Sequence, residues 1–385
     1  MNYNFDEIVP RRGSHSCKWD SAEDPATLPM WVADMDFRTA PCVIEAMEKR
    51  ARHGIFGYAK PPGACLEALT GWFERRHHFR FREEWVLLTT GVVPALSAVI
   101  KALAEPGDGV IVLSPVYNCF FSSIRNNRCE TVSSDLIYKD GTYRIDFDDL
   151  ERKASDPKAK LLLLCNPHNP VGRAWTRDEL KRLGDICLRN RVTVVSDEIH
   201  CDLVYPGHVH IPFASIGKDF LYNSATCMSP GKTFNLAGLQ VAGILAADDA
   251  MREKIDRALN INEVCEINAF AVEALMAAYN GGEEWLERLK RYLYGNYTYL
   301  KNFAGHYLPR FTVLPLEATY LVWIDCSTLG LPSAEIAERL LREEKLWLND
   351  GAMYGTAGEG FIRLNIACPR IRLMQGLNKI KNVFG

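Results

Sequence analysis

Three short segments carry side chains whose types and order could do chemistry together. They are Asn166-Pro167-His168-Asn169-Pro170, then Ser196-Asp197-Glu198-Ile199-His200 at the end of an apolar run, then Ser229-Pro230-Gly231-Lys232-Thr233-Phe234-Asn235. A lone lysine in a turn is ordinarily a solvated surface residue, so the inference rests on the order of all three. An amine can hold an aldehyde covalently, a carboxylate can keep a pyridine nitrogen protonated, and an amide can donate to a phenolic oxygen. Lys232, Asp197 and Asn169 supply one of each, the set that pyridoxal 5'-phosphate requires.

The surrounding elements must bring these residues to one place. Short apolar strands alternate with helical patterns from about Trp85 to Ala246; the strand candidates are 85–89, 110–113, 160–165, 192–196 and 241–245. Such near-continuous apolar runs suit strands covered on both faces of a mainly parallel α/β sheet. Thr176-Arg177-Asp178-Glu179 reads as a capping box opening a helix to about Asn190. In open parallel sheets ligands sit beyond the carboxyl ends of the strands, which gathers 114–117, 165–169 and 197–200 on one rim. Gly91-Val92-Val93-Pro94 follows a strand and opens a helix, so the amides of Val92 and Val93 form a candidate phosphate site. Arg363, in Phe361-Ile362-Arg363-Leu364-Asn365, is the candidate for a substrate carboxylate, because guanidinium binds carboxylate bidentately and keeps its charge.

At these motifs the chain resembles the fold-type I pyridoxal phosphate enzymes of the aminotransferase class I/II superfamily. The narrower likeness is to the MalY/PatB branch of cystathionine β-lyases and C-S lyases. Lys18-Trp19-Asp20, Leu28-Pro29-Met30-Trp31-Val32-Ala33-Asp34-Met35-Asp36-Phe37 and His53-Gly54-Ile55-Phe56-Gly57-Tyr58 carry that likeness, together with the segments above. The resemblance implies that Tyr117 stacks on the cofactor ring and that Ser229 offers a hydroxyl to the phosphate. It also implies that Tyr58 reaches the phosphate and substrate of a neighbouring subunit, and hence a homodimer with shared sites. His200 stands where many aminotransferases have a tyrosine, and sits either over the ring or beneath it. Two residues depart from the pattern: Gly231 where serine is common, and Gln240 where the classical aminotransferases carry a phosphate-binding arginine.

The resemblance further implies a large cofactor domain over residues 48–284 and a smaller α+β domain from 1–47 and 285–385. Residues 283–303 read as a long helix leading to strands near 311–314 and 320–324. A chain of 385 residues with 48% hydrophobic content can bury a core of that size. A net charge of -3 gives no reason to expect nucleic acid or an anionic membrane as partner. Met1 to Glu7 lack the features of a secretory signal and no apolar run approaches a membrane span, so a cytoplasmic enzyme is expected. The 12 cysteines are scattered without a C-x-x-C pair, which reads as buried reduced thiols.

No metal is expected. His208-Val209-His210 lacks a third ligand and reads as a surface turn, and His77-His78 reads as solvated. Gly107-Asp108-Gly109 is no dinucleotide fingerprint, since no strand precedes it. The expected reaction is α,β-elimination from L-cystathionine or a related cysteine S-conjugate, giving thiol, pyruvate and ammonia. An aminotransferase acting on an L-amino acid is the alternative. A cofactor-binding regulatory protein is the third reading, against which the intact Lys232, Asp197, Asn169 and Arg363 argue.

Overall fold

The computed structural model describes residues 3–385; Met1 and Asn2, the start of the segment read as lacking a leader, lie outside the described residues. Seven strands build the central sheet: β1 (Val86–Thr89), β2 (Gly109–Ser114), β3 (Glu130–Asp135), β4 (Ala159–Cys165), β5 (Thr193–Asp197), β6 (Ser224–Met228) and β7 (Ala242–Leu245). Their spatial order is β1-β7-β6-β5-β4-β2-β3. The five strands from β6 to β3 run parallel, and β7 is antiparallel to both its neighbours.

The apolar runs of β2, β4 and β5 are explained by two cores. Val110, Val112, Leu161, Leu163 and Val195 pack on one face with Val92, Leu96 and Val99 of helix α2 (Val92–Leu103). Ile111, Leu113, Leu162, Leu164 and Val194 pack on the other with Leu180, Leu183 and Ile186 of α3 (Arg177–Arg189). Successive residues point to opposite faces, so a strand covered on both sides must be apolar at nearly every position. The capping box that opens α3 is formed as expected: Thr176 Oγ1 accepts from Glu179 N and Glu179 Oε2 accepts from Thr176 N.

Differences from the sequence reading have local causes. Trp85 lies in a single turn of 3-10 helix (Glu83–Trp85), so the first strand begins one residue later. Two strands of the central sheet carry no signal in the sequence pattern. β3, with the sequence ETVSSD, is half-exposed at the sheet edge, and β6, with SATCM, is buried but built of small side chains that form no apolar run. The long helix is α4 (Glu283–Tyr307), preceded in the chain by α1 (Gly63–His77), α2 and α3. A second, antiparallel sheet joins β8 (Thr312–Val313), β9 (Leu321–Asp325), β10 (Asn349–Asp350) and β11 (Phe361–Asn365) in the order β8-β9-β11-β10.

The 12 cysteines are all free, and most are buried. Among the described residues no helix is long and apolar enough to cross a membrane. Leu163→Ala tests the packing of the sheet, because it removes a fully buried side chain from the α2 face. Stability measured by chemical denaturation should fall by about 2–5 kcal/mol; a loss under about 1 kcal/mol would show that this face is not tightly packed.

Candidate functional site

Asp197 is the last residue of β5 and pairs in register with Cys165, the last residue of β4. Both line a cavity of about 240 Å³ beyond the strand ends, with Val92, Val93, Tyr117, Asn169, His200, Ser229 and Lys232. Eight of the ten residues singled out from the sequence therefore meet in one place. Arg363, on β11, joins them through a hydrogen bond from Nη1 to Asn169 Oδ1 (3.0 Å). Tyr58 does not: it is 99% exposed and borders a separate depression with Phe56 and residues 266–270.

The electrostatics of the cavity are unbalanced. Asp197 is buried, and burial pushes its carboxyl up to about 7 against the partial relief of Ile199 N (3.1 Å from Oδ1) and the Lys232 charge. Among the described residues no cationic side chain comes within ion-pair distance of it. The Lys232 amine is lowered to about 8, first by burial and then by Arg363, while Asp34 and Asp197 act in the opposite sense. Its Nζ donates to the carbonyl oxygen of Ala33 (2.7 Å). His200 is depressed to about 3, chiefly by burial, and is therefore neutral. Its Nδ1 is buried without a partner.

The donors are arranged with similar care. Asn169 accepts through Oδ1, so its amide NH2 remains available to a neighbour in the cavity. Helix α2 starts at Val92 with Gly91 at φ +134° and no side-chain cap, which leaves the first amides to be satisfied by an anion. Arg363 Nη2 donates to the carbonyl of Trp31 (2.8 Å), its guanidinium lies over the Tyr354 ring at 4.9 Å, and its Nε is buried unpaired. Tyr117 lines the cavity with its hydroxyl pKa raised by burial and by Cys119.

Ser229 differs from expectation. Its hydroxyl donates to Val241 O (2.6 Å) and accepts from Gly231 N (3.0 Å), so its proton is committed to the backbone. Gly231 fits that arrangement, since a Cβ there would lie 3.1 Å from Ser229 Oγ. Gln240 borders the cavity as a neutral residue. Among the described residues, Lys232 is thus the only cationic side chain lining it.

Two histidine readings are corrected. His77 is buried against Asp202 (2.9 Å) while only His78 is exposed, because the helix ends there in a left-handed cap that turns His78 outward. His210 is buried against Glu198 (2.9 Å), and its neighbour His208 is exposed. His77, Cys201 and Asp202 bring ligand-type atoms within 4.8 Å of one another. Both oxygens of Asp202 already accept hydrogen bonds, from Trp72 and His77 at one and Thr233 at the other.

The sequence reading missed the use made of residues 31–35. Their carbonyls receive Arg363 and Asn349 at Trp31, Asn365 at Val32, Lys232 and Tyr320 at Ala33, Asn365 and Lys18 at Asp34, and Arg11 and Asn235 at Met35. Backbone oxygens leave no mark in residue types; the tight run of the segment in the family likeness was the only signal.

The cavity suits a ligand with a protonated ring nitrogen for Asp197, an acceptor for Asn169, an aldehyde for Lys232 and a phosphate for the α2 amides. The unpaired carboxylate and uncapped helix end fit pyridoxal 5'-phosphate on chemistry alone.

Comparison with known proteins agrees. Residues 29–380 match the family described as aminotransferase class I and II. The chain is 45% identical over 382 residues to cystathionine beta-lyase PatB of Bacillus subtilis, covering 98% of this chain and 99% of that protein. Its fold matches that of cystalysin from Treponema denticola, a structure containing a pyridoxal 5'-phosphate cofactor, with TM-score 0.96 at 32% identity over 100% of this chain and 99% of that one. The PLP-bound C-S lyase from Staphylococcus hominis gives TM-score 0.93 at 35% identity over 100% of this chain and 98% of that one.

Burial of Asp197 has a consequence for the protein without cofactor. A carboxyl whose folded pKa is raised binds its proton more tightly in the folded state, so its cost is absent below the unfolded value of 3.8 and grows until pH passes about 7. Asp197→Asn should therefore stabilise the cofactor-free protein at pH 8 by on the order of 3 kcal/mol, with the gain vanishing near pH 4. Thermal melts of both proteins across that range check it, and a gain independent of pH would contradict it.

Proposed function

We propose, for a chain that belongs to the aminotransferase class I and II family, that it is a pyridoxal phosphate-dependent carbon-sulfur lyase. It catalyses α,β-elimination of L-cystathionine or related cysteine S-conjugates. The observation that carries this reading is the pairing of the buried Lys232–Asp197 cavity with 45% identity, over nearly full length, to a cystathionine beta-lyase.

Pyridoxal 5'-phosphate, when bound, supplies an electron sink for the bond broken at Cα. The residues of this chain do the rest. Asn169 and Asp197 would hold the ring, Asp197 keeping its nitrogen charged; Tyr117 and His200 would flank it, and Val92, Val93 and Ser229 would hold the phosphate. Ser229 would donate to the phosphate only by giving up its hydrogen bond to Val241 O.

Arg363 takes the substrate carboxylate. Its contacts with Asn169 and the Trp31 carbonyl fix the guanidinium plane before substrate arrives, which reduces the ordering left to do on binding. The Lys232 amine, held near 8, has a substantial neutral fraction at neutral to mildly basic pH and can accept the α-proton. The Ala33 carbonyl gives that amine a hydrogen-bonded position when it is not engaged covalently. Loss of the thiolate at Cβ then leaves 2-aminoacrylate, which hydrolyses to pyruvate and ammonia.

Residues 48–284 form the cofactor domain in this reading, with 1–47 and 285–385 as the smaller one. The enzyme works in the cytoplasm as a homodimer. The exposure of Tyr58 supports a second copy covering it, so that the tyrosine completes the partner's site at phosphate and substrate.

An aminotransferase would share the proton abstraction but return the proton to the cofactor. The two outcomes separate cleanly on L-cystathionine without any keto acid. The lyase should release thiol, pyruvate and ammonia in equal amounts over many turnovers. A reaction that stops after one equivalent and resumes on adding a keto acid would assign transamination instead.

A further inference from the structure

Two chain segments carry the opposed charges of the site, and their spacing must be fixed. The segment from Asp197 to Leu203 turns through hydrogen bonds from Cys201 N to Glu198 O and Leu203 N to His200 O. The segment around Lys232 turns through Phe234 N to Pro230 O and Leu236 N to Gly231 O. One side-chain hydrogen bond joins the two turns: Thr233 Oγ1 donates to Asp202 Oδ2 at 2.9 Å. Thr233 is the residue after the lysine.

Asp202 is built to hold a fixed position. It is 2% exposed, and its other oxygen accepts from Trp72 Nε1 (3.0 Å) and pairs with His77 Nε2 (2.9 Å), both on α1. Burial raises its pKa, but the bonds and charge of His77 and the Thr233 hydroxyl outweigh that and keep it a carboxylate. An anion surrounded by three donors has little freedom to shift, since any movement leaves a buried donor or a charge unpaired. Asn235 ties the far side of the lysine turn to Met35 and Phe37, so Thr233 and Asn235 restrain it from two directions.

We propose that Asp202 is a positioning residue for Lys232, acting through Thr233 to set the distance between the amine and the Asp197 carboxylate. This rests on the lyase reading above for its kinetic consequence, but not for its spectroscopic one. Asp202 lines no part of the cavity and touches neither substrate nor cofactor in this account. Its effect is carried by a hydroxyl that sequence alone would pass over as an ordinary turn residue.

Thr233→Val tests the proposal, because it deletes the donor and nearly keeps the shape. In the holoenzyme, kcat for elimination should fall about tenfold or more, the scale of losing a hydrogen bond to a charged acceptor. KM should change by less than roughly threefold, since Arg363 is untouched. The visible absorbance of the bound cofactor, followed against pH, should shift its midpoint by about half a unit or more, because the amine has moved relative to the carboxylate. Thr233→Ser should restore both values. Should Thr233→Val fold poorly, Thr233→Ala deletes the same donor in a smaller side chain and is read identically. If the donor-deleted holoenzyme keeps kcat and the absorbance midpoint, even with a lowered melting temperature, Asp202 is structural and the proposal is overturned. A wild-type protein without elimination activity would defeat the lyase reading alone, and the absorbance midpoints would still decide this one.

Discussion

A buried carboxylate without a cationic partner is the constraint on which this structure turns. Asp197 ends a central strand, buried and with no cationic side chain among the described residues at ion-pair distance, and burial pushes its carboxyl up to about 7. Taking a charge out of water is unfavourable unless something compensates it. On the proposed reading that something is the protonated ring nitrogen of the cofactor, so binding relieves an imbalance built into the fold. Lys232 faces the reverse problem, with burial drawing its amine down toward the range where proton transfer is useful.

The residues that hold these two groups come from distant parts of the chain. The parallel strands β4 and β5, joined through α3, bring the Asn169 and Asp197 segments side by side. The amino-terminal segment then crosses to meet both Lys232 and Arg363 with successive backbone carbonyls. That segment is itself secured by a partly buried charge cluster, with Arg11 and Lys18 each reaching both Asp34 and Asp36. The amine and the guanidinium therefore share one support, which on the proposed reading ties substrate binding and proton abstraction to a single piece of backbone.

Much of this was legible from the sequence where side-chain type is decisive. The alternation that places Leu162 and Leu163 in different cores, the capping box at Thr176 and Glu179, and the amine-carboxylate-amide set all follow from residue identity. What escaped was carried by backbone or by context. Ser229 has the right side chain, but its proton goes to Val241; His77 and His210 have polar side chains, but Asp202 and Glu198 draw them inside. The strand SATCM is central yet too small-sided to look buried, and the Ala33 carbonyl is invisible in any reading of side chains. Tyr58 remains outside the site of its own chain.

The central claim is that Asp197 exists to keep the cofactor's ring nitrogen protonated. Nitrogen NMR of holoenzyme loaded with 15N-ring-labelled pyridoxal phosphate tests it directly, because the shift of that nucleus separates the protonated from the free form. The account predicts a protonated nitrogen at pH 8 in the wild-type protein and a free one in Asp197→Asn. A nitrogen unprotonated in the wild type, or equally protonated in both, would contradict it.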